Sequence, residues 1–220
     1  MNVDAILSKM NKHRADAKAK GTFGEKAAIE VLRSLQAVIG GVIFHSYDYE
    51  YSHKRDGSNY AGNIKYENGQ FVEIAGKEYT HDEIDILYIT DYRIFVVEVK
   101  ARANRWTLYD HWAKQQGTMV DKSPILQCEK HARHFYHKIY EYLPEGDPRY
   151  IIPLVVFVDK SKIKDDRSQN SKQYVLVTIL NALKKTVAKN NVPLAYKIDK
   201  DKLVDYLCKH GGYESIWKKG

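Results

Sequence analysis

Residues 83–100, EIDILYITDYRIFVVEVK, constrain the fold of this chain more than any other segment. Two runs rich in β-branched and aromatic residues flank a polar segment at Asp91-Tyr92. This pattern predicts an antiparallel hairpin closed by a two-residue or a four-residue loop. With either loop the register places Asp85 opposite Glu98, and the strand period of two places Lys100 on the same face as Glu98.

Two carboxylates at paired positions of a ladder need something that neutralises them. Their β-carbons lie roughly 5 Å apart, and like charges at that distance destabilise a sheet. One acid can be protonated, Lys100 can compensate the charge, or a cation can bind between the acids. Oxygen ligands suit a hard cation such as Mg²⁺ or Mn²⁺, and a metal beside a lysine suits hydrolysis of a phosphodiester. The alternative is a salt-bridge ladder on a half-exposed face.

The remaining sequence predicts an α/β protein with a central mixed sheet flanked by helices. A basic helical arm is expected over residues 1–20, followed by a helix that begins at Thr22 and ends at Gly40-Gly41. Asn68-Gly69 is typical of a type I′ hairpin turn. Further strands are predicted at 42–52, 151–158, 174–178 and 194–198, and further helices at 123–143, 180–189 and 201–209.

Composition narrows the class of protein. The net charge is +7, and residues 159–220 hold 14 Lys and Arg against 7 Asp and Glu. Such a surface favours polyanions, although a solvated face is the simpler alternative. Cys128 and Cys208 have no CxxC spacing, which argues against a disulfide framework or a cysteine zinc site. With no apolar run of membrane length and no apolar signal core, we expect a cytoplasmic protein that does not contact a membrane.

Four motifs in order resemble the nuclease-related domain (NERD) family of the PD-(D/E)xK nuclease superfamily. They are GTFGEKAAIEVL, EIDILYI, IFVVEVKA and SPILQ. The resemblance implies a restriction-endonuclease-like core with a central mixed β-sheet flanked by helices, and Mg²⁺-dependent cleavage of nucleic acid. We therefore expect a nuclease-like domain at residues 21–190, with a short basic strand and helix extension at 191–220.

The resemblance also implies a role for each residue of the hairpin. Asp85 and Glu98 would hold the metal ion together with the backbone carbonyl of Val99. Lys100 would be the lysine that positions or polarises the attacking water.

Two helical residues would complete the site by the same resemblance, and both have simple alternatives. Glu25 would support the metal directly or through water, but in Thr22-x-x-Glu25 it is also the glutamate of a capping box. Gln127 would line the pocket, whereas a glutamine at a helix boundary is usually solvated or bonded to backbone.

Residues near these motifs are candidates for binding nucleic acid. Arg102, Arg105 and Trp106 follow Lys100 and could grip a phosphate and stack a base, or form a charged strand end with a core tryptophan. His131, His134 and His137 are spaced three residues apart, so they drift around a helix, and no Glu or Cys ligands with suitable spacing accompany them. We therefore expect a helix edge that faces phosphate rather than a zinc site.

The sequence thus predicts a Mg²⁺-dependent nuclease, with Mn²⁺ as a substitute and DNA as the expected substrate. A domain that cuts both strands of a duplex is expected to form a homodimer. The alternative is a module of a DNA repair or defence system that binds nucleic acid or docks a partner without cutting. No GxxxxGK[ST] or Gly-x-Ser-x-Gly motif is present to favour an NTPase or a serine hydrolase.

Overall fold

A seven-stranded mixed sheet with helices on both faces forms the centre of the molecule. It is seen in a computed structural model, which describes residues 17–52, 64–67, 70–73, 79–101, 105–120, 123–158 and 162–218. The predicted α/β class with a central mixed sheet flanked by helices is confirmed. None of the helices in the described ranges is long and apolar enough to cross a membrane.

Helices and groups of strands alternate along the chain. The helices are α1 Ala17–Ile39, α2 Pro124–Ile139, α3 Gln169–Tyr174, α4 Leu180–Asn190 and α5 Lys200–His210, with 3₁₀ turns at Tyr140–Tyr142, Pro144–Gly146 and Pro148–Tyr150. The strands are β1 Val42–Ser52, β2 Ile64–Glu67, β3 Gln70–Glu73, β4 Tyr79–Ile89, β5 Ile94–Lys100, β6 Trp106–Leu108, β7 Ala113–Gln115, β8 Thr118–Met119, β9 Ile151–Phe157, β10 Ile163–Asp165, β11 Leu176–Ile179, β12 Gly211–Gly212 and β13 Ser215–Lys218.

The main sheet has the order β11-β9-β5-β4-β1-β12, and β13 also pairs with β1. Strands β5, β9 and β11 run parallel to one another, whereas β1, β4 and β5 are antiparallel neighbours. Helices α1 and α4 cover one face, and α2 and α5 cover the other. A second sheet, β10-β6-β7-β8, follows the end of β5.

The central hairpin has the predicted register. Strands β4 and β5 pair from Ile89–Ile94 to Ile86–Val97, so four residues separate the strands at the turn. Thr90 closes that turn, because its hydroxyl accepts the backbone N–H of Arg93 at 2.9 Å and its own N–H donates to the Arg93 carbonyl at 2.8 Å. The turn chemistry and the two apolar strands therefore set the register together.

Side-chain alternation in β1 and β4 is interrupted at one level of the sheet. In β4, Ile84 and Leu87 are three residues apart yet pack in the same core, and Phe44 and Tyr47 of β1 do the same. The register between β1 and β4 is unchanged on either side, so both strands are interrupted at the same level. At this level Ser46 has φ of 49°, in the left-handed region that few side chains adopt.

Helix α1 corrects one prediction. Residues 17–21 are already helical, so Thr22 and Glu25 lie inside α1 and the capping box is wrong. The predicted end is confirmed, since the helix stops at Ile39 and Gly40 has φ of 76°. Residues 1–16 of the predicted arm lie outside the described residues, and the last four residues of the arm belong to α1.

Other differences lie at element ends and in short strands. Helix α2 ends at Ile139 and continues as a 3₁₀ turn. Residues 194–198 form no strand, because this segment packs against the molecule through Ile198, whose N–H donates to the Asp91 carbonyl. The hairpin of β2 and β3 is confirmed by its pairing, while its turn at Asn68-Gly69 lies outside the described residues.

Candidate active site

Asp85 lies where the ladder between β4 and β5 ends. The last pair is Ile86–Val97, and Asp85 and Glu98 come next with no further pairing between these two described strands. The Asp85 carboxylate instead accepts the backbone N–H of Val99 at 2.6 Å. The side chain has thus replaced a ladder carbonyl as the acceptor, which draws the carboxylate to the end of β5.

The surroundings of Asp85 disfavour its charge. Burial raises the pKa of Asp85 well above its usual value, the neighbouring Glu98 carboxylate raises it further, and so does the charge of Glu25. The Val99 N–H and Lys100 act in the opposite direction without offsetting the rise. Three acids that the sequence predicted for one site therefore do act on one another electrostatically.

Glu98 is the most deeply buried acid of the group, with 3% of its surface exposed. One oxygen, Oε1, accepts a hydrogen bond from the Lys100 ammonium group at 2.5 Å. The other, Oε2, is buried without a hydrogen-bond partner and lies 3.5 Å from His131 Nδ1. Burial raises the pKa of Glu98, but His131 and Lys100 lower it more, so it lies below the usual range. A buried, ionised oxygen with no donor is costly unless something else compensates it.

Lys100 connects the hairpin to α2. Its Nζ donates to Glu98 Oε1 and, at 3.1 Å, to Gln127 Oε1 in the first turns of the helix. The side chain of Lys100 is 23% exposed, so the ammonium stands at the border between the buried acid and solvent. The predicted juxtaposition of Glu98, Lys100 and Gln127 is therefore present as direct contacts.

Glu25 enters from α1 and is held by a histidine. Its Oε2 lies 3.0 Å from His45 Nε2, and the other ring nitrogen of His45 lies 3.1 Å from Oε2 of Glu214. Gly24 allows α1 to come this near, because a β-carbon at that position would meet the Ala101 β-carbon at 2.5 Å. Glu25 thus approaches the residues that follow Lys100, and its neighbour glycine is a packing requirement.

The histidines of α2 face acids of the sheet. His131 is 8% exposed and points Nδ1 at Glu98, while His134 is 5% exposed and bonds Asp82 of β4 through Nδ1. A phosphate-facing helix edge is therefore wrong for His134. Lys130 also donates to Asp82, at 3.0 Å.

The residues predicted to contact nucleic acid differ in their exposure to solvent. Trp106 is 5% exposed and packs against Phe157, 5.4 Å between ring centroids, which is the core role that the sequence left open. Arg105 is exposed at the start of the second sheet. Arg102 lies outside the described residues.

The comparisons with known proteins bear on the same residues. The profile of the family described as the nuclease-related domain, NERD, matches residues 20–158. The chain belongs to this family. The matched segment includes α1 from residue 20 onward, the hairpin of β4 and β5, and the whole of α2, so it contains every predicted catalytic residue. No curated protein and no solved structure matched the chain.

The NERD segment offers donors that fit a hard cation. Among the described residues no group of three or more His, Cys, Asp or Glu side chains is arranged to hold a metal ion. A metal here would therefore depend on Asp85 and Glu98, completed by main-chain or water oxygens. The buried Glu98 Oε2 without a donor, and the acid charge gathered around Asp85, are both features that a divalent cation would compensate.

Two residues of the site were missed in the sequence: His45 and Glu214. His45 is buried in β1 and Glu214 lies near the end of the chain, and both reach the site only through sheet pairing. A histidine inside the apolar run VIFHS was the one available signal, because a buried imidazole needs a polar partner.

Proposed function

We propose that this NERD protein is a metal-dependent nuclease that hydrolyses phosphodiester bonds of nucleic acid, with DNA as its substrate. The observation that carries the proposal is the connected set Asp85, Glu98 and Lys100. Glu98 is buried with Oε1 on Lys100, while Oε2 has no hydrogen bond and lies 3.5 Å from His131 Nδ1, beside an aspartate whose charge is disfavoured. In a purely structural cluster, we would expect every buried oxygen of the two acids to accept a hydrogen bond.

Each residue has a role in this proposal. Asp85 and Glu98 would hold Mg²⁺, or Mn²⁺ in its place, with the Val99 carbonyl as a further oxygen. Bound there, the ion would stabilise the negative charge that develops on phosphate and favour ionisation of the attacking water. Glu25 would support the same ion directly or through a water molecule.

Lys100 would orient the attacking water. An ammonium has three N–H donors, and the contacts with Glu98 and Gln127 account for two of them. The third would hold the water or a phosphate oxygen beside the acids. Attack of the water oxygen on phosphorus forms one P–O bond as the bond to the leaving sugar oxygen breaks. Gln127 would keep the lysine at the right place by accepting its second hydrogen bond.

Positive charge on the protein would attract the phosphates of the substrate. The chain carries a net charge of +7, and Arg102 and Arg105 follow the catalytic strand. His131 would contribute through its contact with Glu98 rather than through an exposed ring. A second copy of the chain would be needed if both strands of a duplex are cut together.

A cleavage assay tests the proposal. Supercoiled plasmid and labelled single-stranded DNA and RNA are incubated with the protein and Mg²⁺, Mn²⁺ or EDTA. We expect cutting that EDTA abolishes and that Asp85→Asn and Lys100→Ala both lose. The matched controls are Asp205→Asn and Lys184→Ala, which alter exposed residues of α5 and α4.

Two results would contradict the proposal. Cutting that persists in Asp85→Asn and Lys100→Ala would place the chemistry elsewhere. If the wild type cuts none of the substrates but retains them in a filter-binding assay, the protein is a binding module without catalysis.

A further inference from the structure

We infer that Glu214, near the end of the chain, is a positioning residue of the candidate active site: through His45 it fixes the carboxylate of Glu25. This inference rests on the proposed function, since it assigns Glu25 a place in that reaction. Glu214 lies beyond the segment that matches the NERD family, residues 20–158. The site would therefore be complete only with a part of the chain that the family match does not include.

The contacts form an unbroken line of three side chains. His45 is 3% exposed, and each of its ring nitrogens faces a carboxylate oxygen: Nε2 faces Glu25 at 3.0 Å and Nδ1 faces Glu214 at 3.1 Å. The His45 ring cannot turn about its χ2 bond without breaking the hydrogen bond between Nε2 and Glu25 and separating Nδ1 from the Glu214 carboxylate. The orientation that Glu214 imposes on the ring is thus passed on to Glu25.

The main chain holds Glu214 in place independently of its side chain. Strands β12 and β13 pair with β1 in one register on either side of residues 213–214. Between them the Glu214 N–H donates to the His45 carbonyl at 3.0 Å. The ring of Tyr213 packs edge-on against Phe44 at 5.3 Å between centroids. Backbone and side chain of residue 214 therefore both contact residue 45.

The interruption of β1 explains why this line can reach the site. His45 faces α1, yet Tyr47 two residues later packs in the core on the α2 side. Ser46, in a left-handed conformation between them, takes up the change. Without this change, regular alternation would continue from His45 to Tyr47 on one face. The interruption lies at the level of Asp85 in the neighbouring strand, whose charge Glu25 disfavours.

Stability alone gives a weak reason for Glu214 to be there. Its side chain is 63% exposed, and an ion pair with so exposed a partner contributes little to folding. The consequence of the contact lies in what the buried ring does to Glu25. Groups that contact a metal ligand directly, as His45 contacts Glu25, typically change activity by about 10- to 100-fold when removed, so we expect Glu214, one contact further out, at the low end of that range.

The first arm of the test reads the contact itself, without metal and without substrate. Long-range ¹H–¹⁵N correlation spectra record both ring nitrogens of His45 in the wild type, in Glu214→Ala and in Glu214→Gln. We expect both His45 signals to move in Glu214→Ala and to return toward their wild-type positions in Glu214→Gln, whose amide oxygen can still accept from Nδ1. Glu141→Ala, at an exposed glutamate of the 3₁₀ turn after α2, is the control and should leave them unchanged.

The second arm is a double-mutant cycle on the cleavage rate. Glu214→Ala should lower the rate about 10-fold, Glu214→Gln should recover most of it, and Glu25→Gln should lower it about 100-fold. In the background of Glu25→Gln, the further change Glu214→Ala should have no effect, because Glu214 acts only through Glu25. Thermal unfolding of each variant separates these effects from loss of folded protein.

Each outcome decides the inference. If the His45 signals stay unchanged in Glu214→Ala, the inference is overturned whether or not the protein cuts nucleic acid. Additive losses in the double mutant overturn it as well, because Glu214 would then act independently of Glu25. A wild type that cuts nothing, although His45 responds to Glu214→Ala, overturns the proposed function, and the positioning role falls with it.

Discussion

Asp82 and Asp85 lie three residues apart in β4 and have opposite surroundings. Asp82 is bonded by His134 and Lys130, and although burial raises its pKa, these two partners lower it to about 2. Asp85 has a backbone N–H as its hydrogen-bond donor, and burial and Glu98 raise its pKa. Two aspartates of one strand thus show the difference between an acid whose charge the fold compensates and an acid whose charge burial and neighbouring acids disfavour.

The difference follows from which helix each aspartate meets. Asp82 faces α2, which brings Lys130 and His134 to it. Asp85 lies beside the end of β5, and the charge of Glu25 in α1 raises its pKa, so α1 adds negative charge to the surroundings of Asp85. We therefore expect Asp82 to serve stability and Asp85 to serve catalysis.

The largest expected effect is on cleavage. Asp85→Asn should lower the cleavage rate per folded molecule by about 10³-fold or more, because the neutral amide is a poor ligand for a hard cation. Asp82→Asn should stay within about fivefold of the wild type, because its charge is already compensated by residues outside the site. Single-turnover cleavage of labelled DNA, corrected for the folded fraction by circular dichroism, measures both. Equal losses in the two variants would remove the distinction between the aspartates.

Stability should show the reverse order. Asp82→Asn should lower the free energy of unfolding by about 2 kcal/mol, because it leaves the buried His134 without its carboxylate while the half-exposed Lys130 can turn to solvent. Asp85→Asn should leave it unchanged or raise it, since the substitution removes a charge that burial disfavours. Urea denaturation at pH 7 measures both values, and a larger loss in Asp85→Asn would contradict the assignment of Asp82 to stability.

The same comparison has a pH dependence of known sign. The pKa of Asp82 falls from 3.8 to about 2 on folding, so its stabilising contribution is complete above pH 4 and is lost as the pH falls through 2. The gap in unfolding free energy between wild type and Asp82→Asn should therefore narrow as the pH is lowered from 5 to 2. Denaturation series at several pH values measure the gap. A gap that stays constant down to pH 2 would show that the charge of Asp82 is not what stabilises the fold.

The sequence predicted the hairpin and its register because both depend on local information. Alternation, apolar strands and turn chemistry act within residues 83–100, and from them Asp85, Glu98 and Lys100 come to one end of the sheet. The capping box at Glu25 was wrong because residues 17–21 already belong to the helix, and no local signal in the sequence forbids this. Local signals therefore identify an element and its register better than they identify its ends.

The rest of the site depends on contacts distant in sequence. His45 meets Glu25 and Glu214 only because β1 lies between α1 and the last strands of the chain. The interruption at Ser46 occurs at the same level in β1 and β4, so it leaves their pairing register unchanged and cannot be deduced from the register. Period-two alternation consequently predicted a facing pair of Asp85 and Glu98, whereas the Asp85 carboxylate accepts the Val99 N–H.

The smallest expected effect comes from moving α1, which lies near Asp85, whereas Asp82 faces α2. Gly24→Ala adds a β-carbon that would lie 2.5 Å from the Ala101 β-carbon, which pushes α1 and Glu25 away from the end of β5. Overpacking costs about 1–3 kcal/mol, and the better helix propensity of alanine returns about 1 kcal/mol, so we expect a net loss of about 1 kcal/mol. Cleavage should fall as well, whereas the pH-dependent contribution of Asp82, which α2 surrounds, should not change.

Two matched variants make this last test specific. Gly21→Ala lies in the same helix, but its added β-carbon would meet Glu25 Oε1 at 3.9 Å, an ordinary contact, so it should stabilise the protein slightly. Combining Gly24→Ala with Ala101→Gly removes the clashing methyl group and should restore both stability and cleavage. If the double variant regains stability but not cleavage, the approach of α1 matters for packing alone, and Glu25 does not depend on it. If it regains both, the closeness of α1 to the end of β5 is what gives Asp85 its acidic neighbour, and the contrast with Asp82 is set by the two helices.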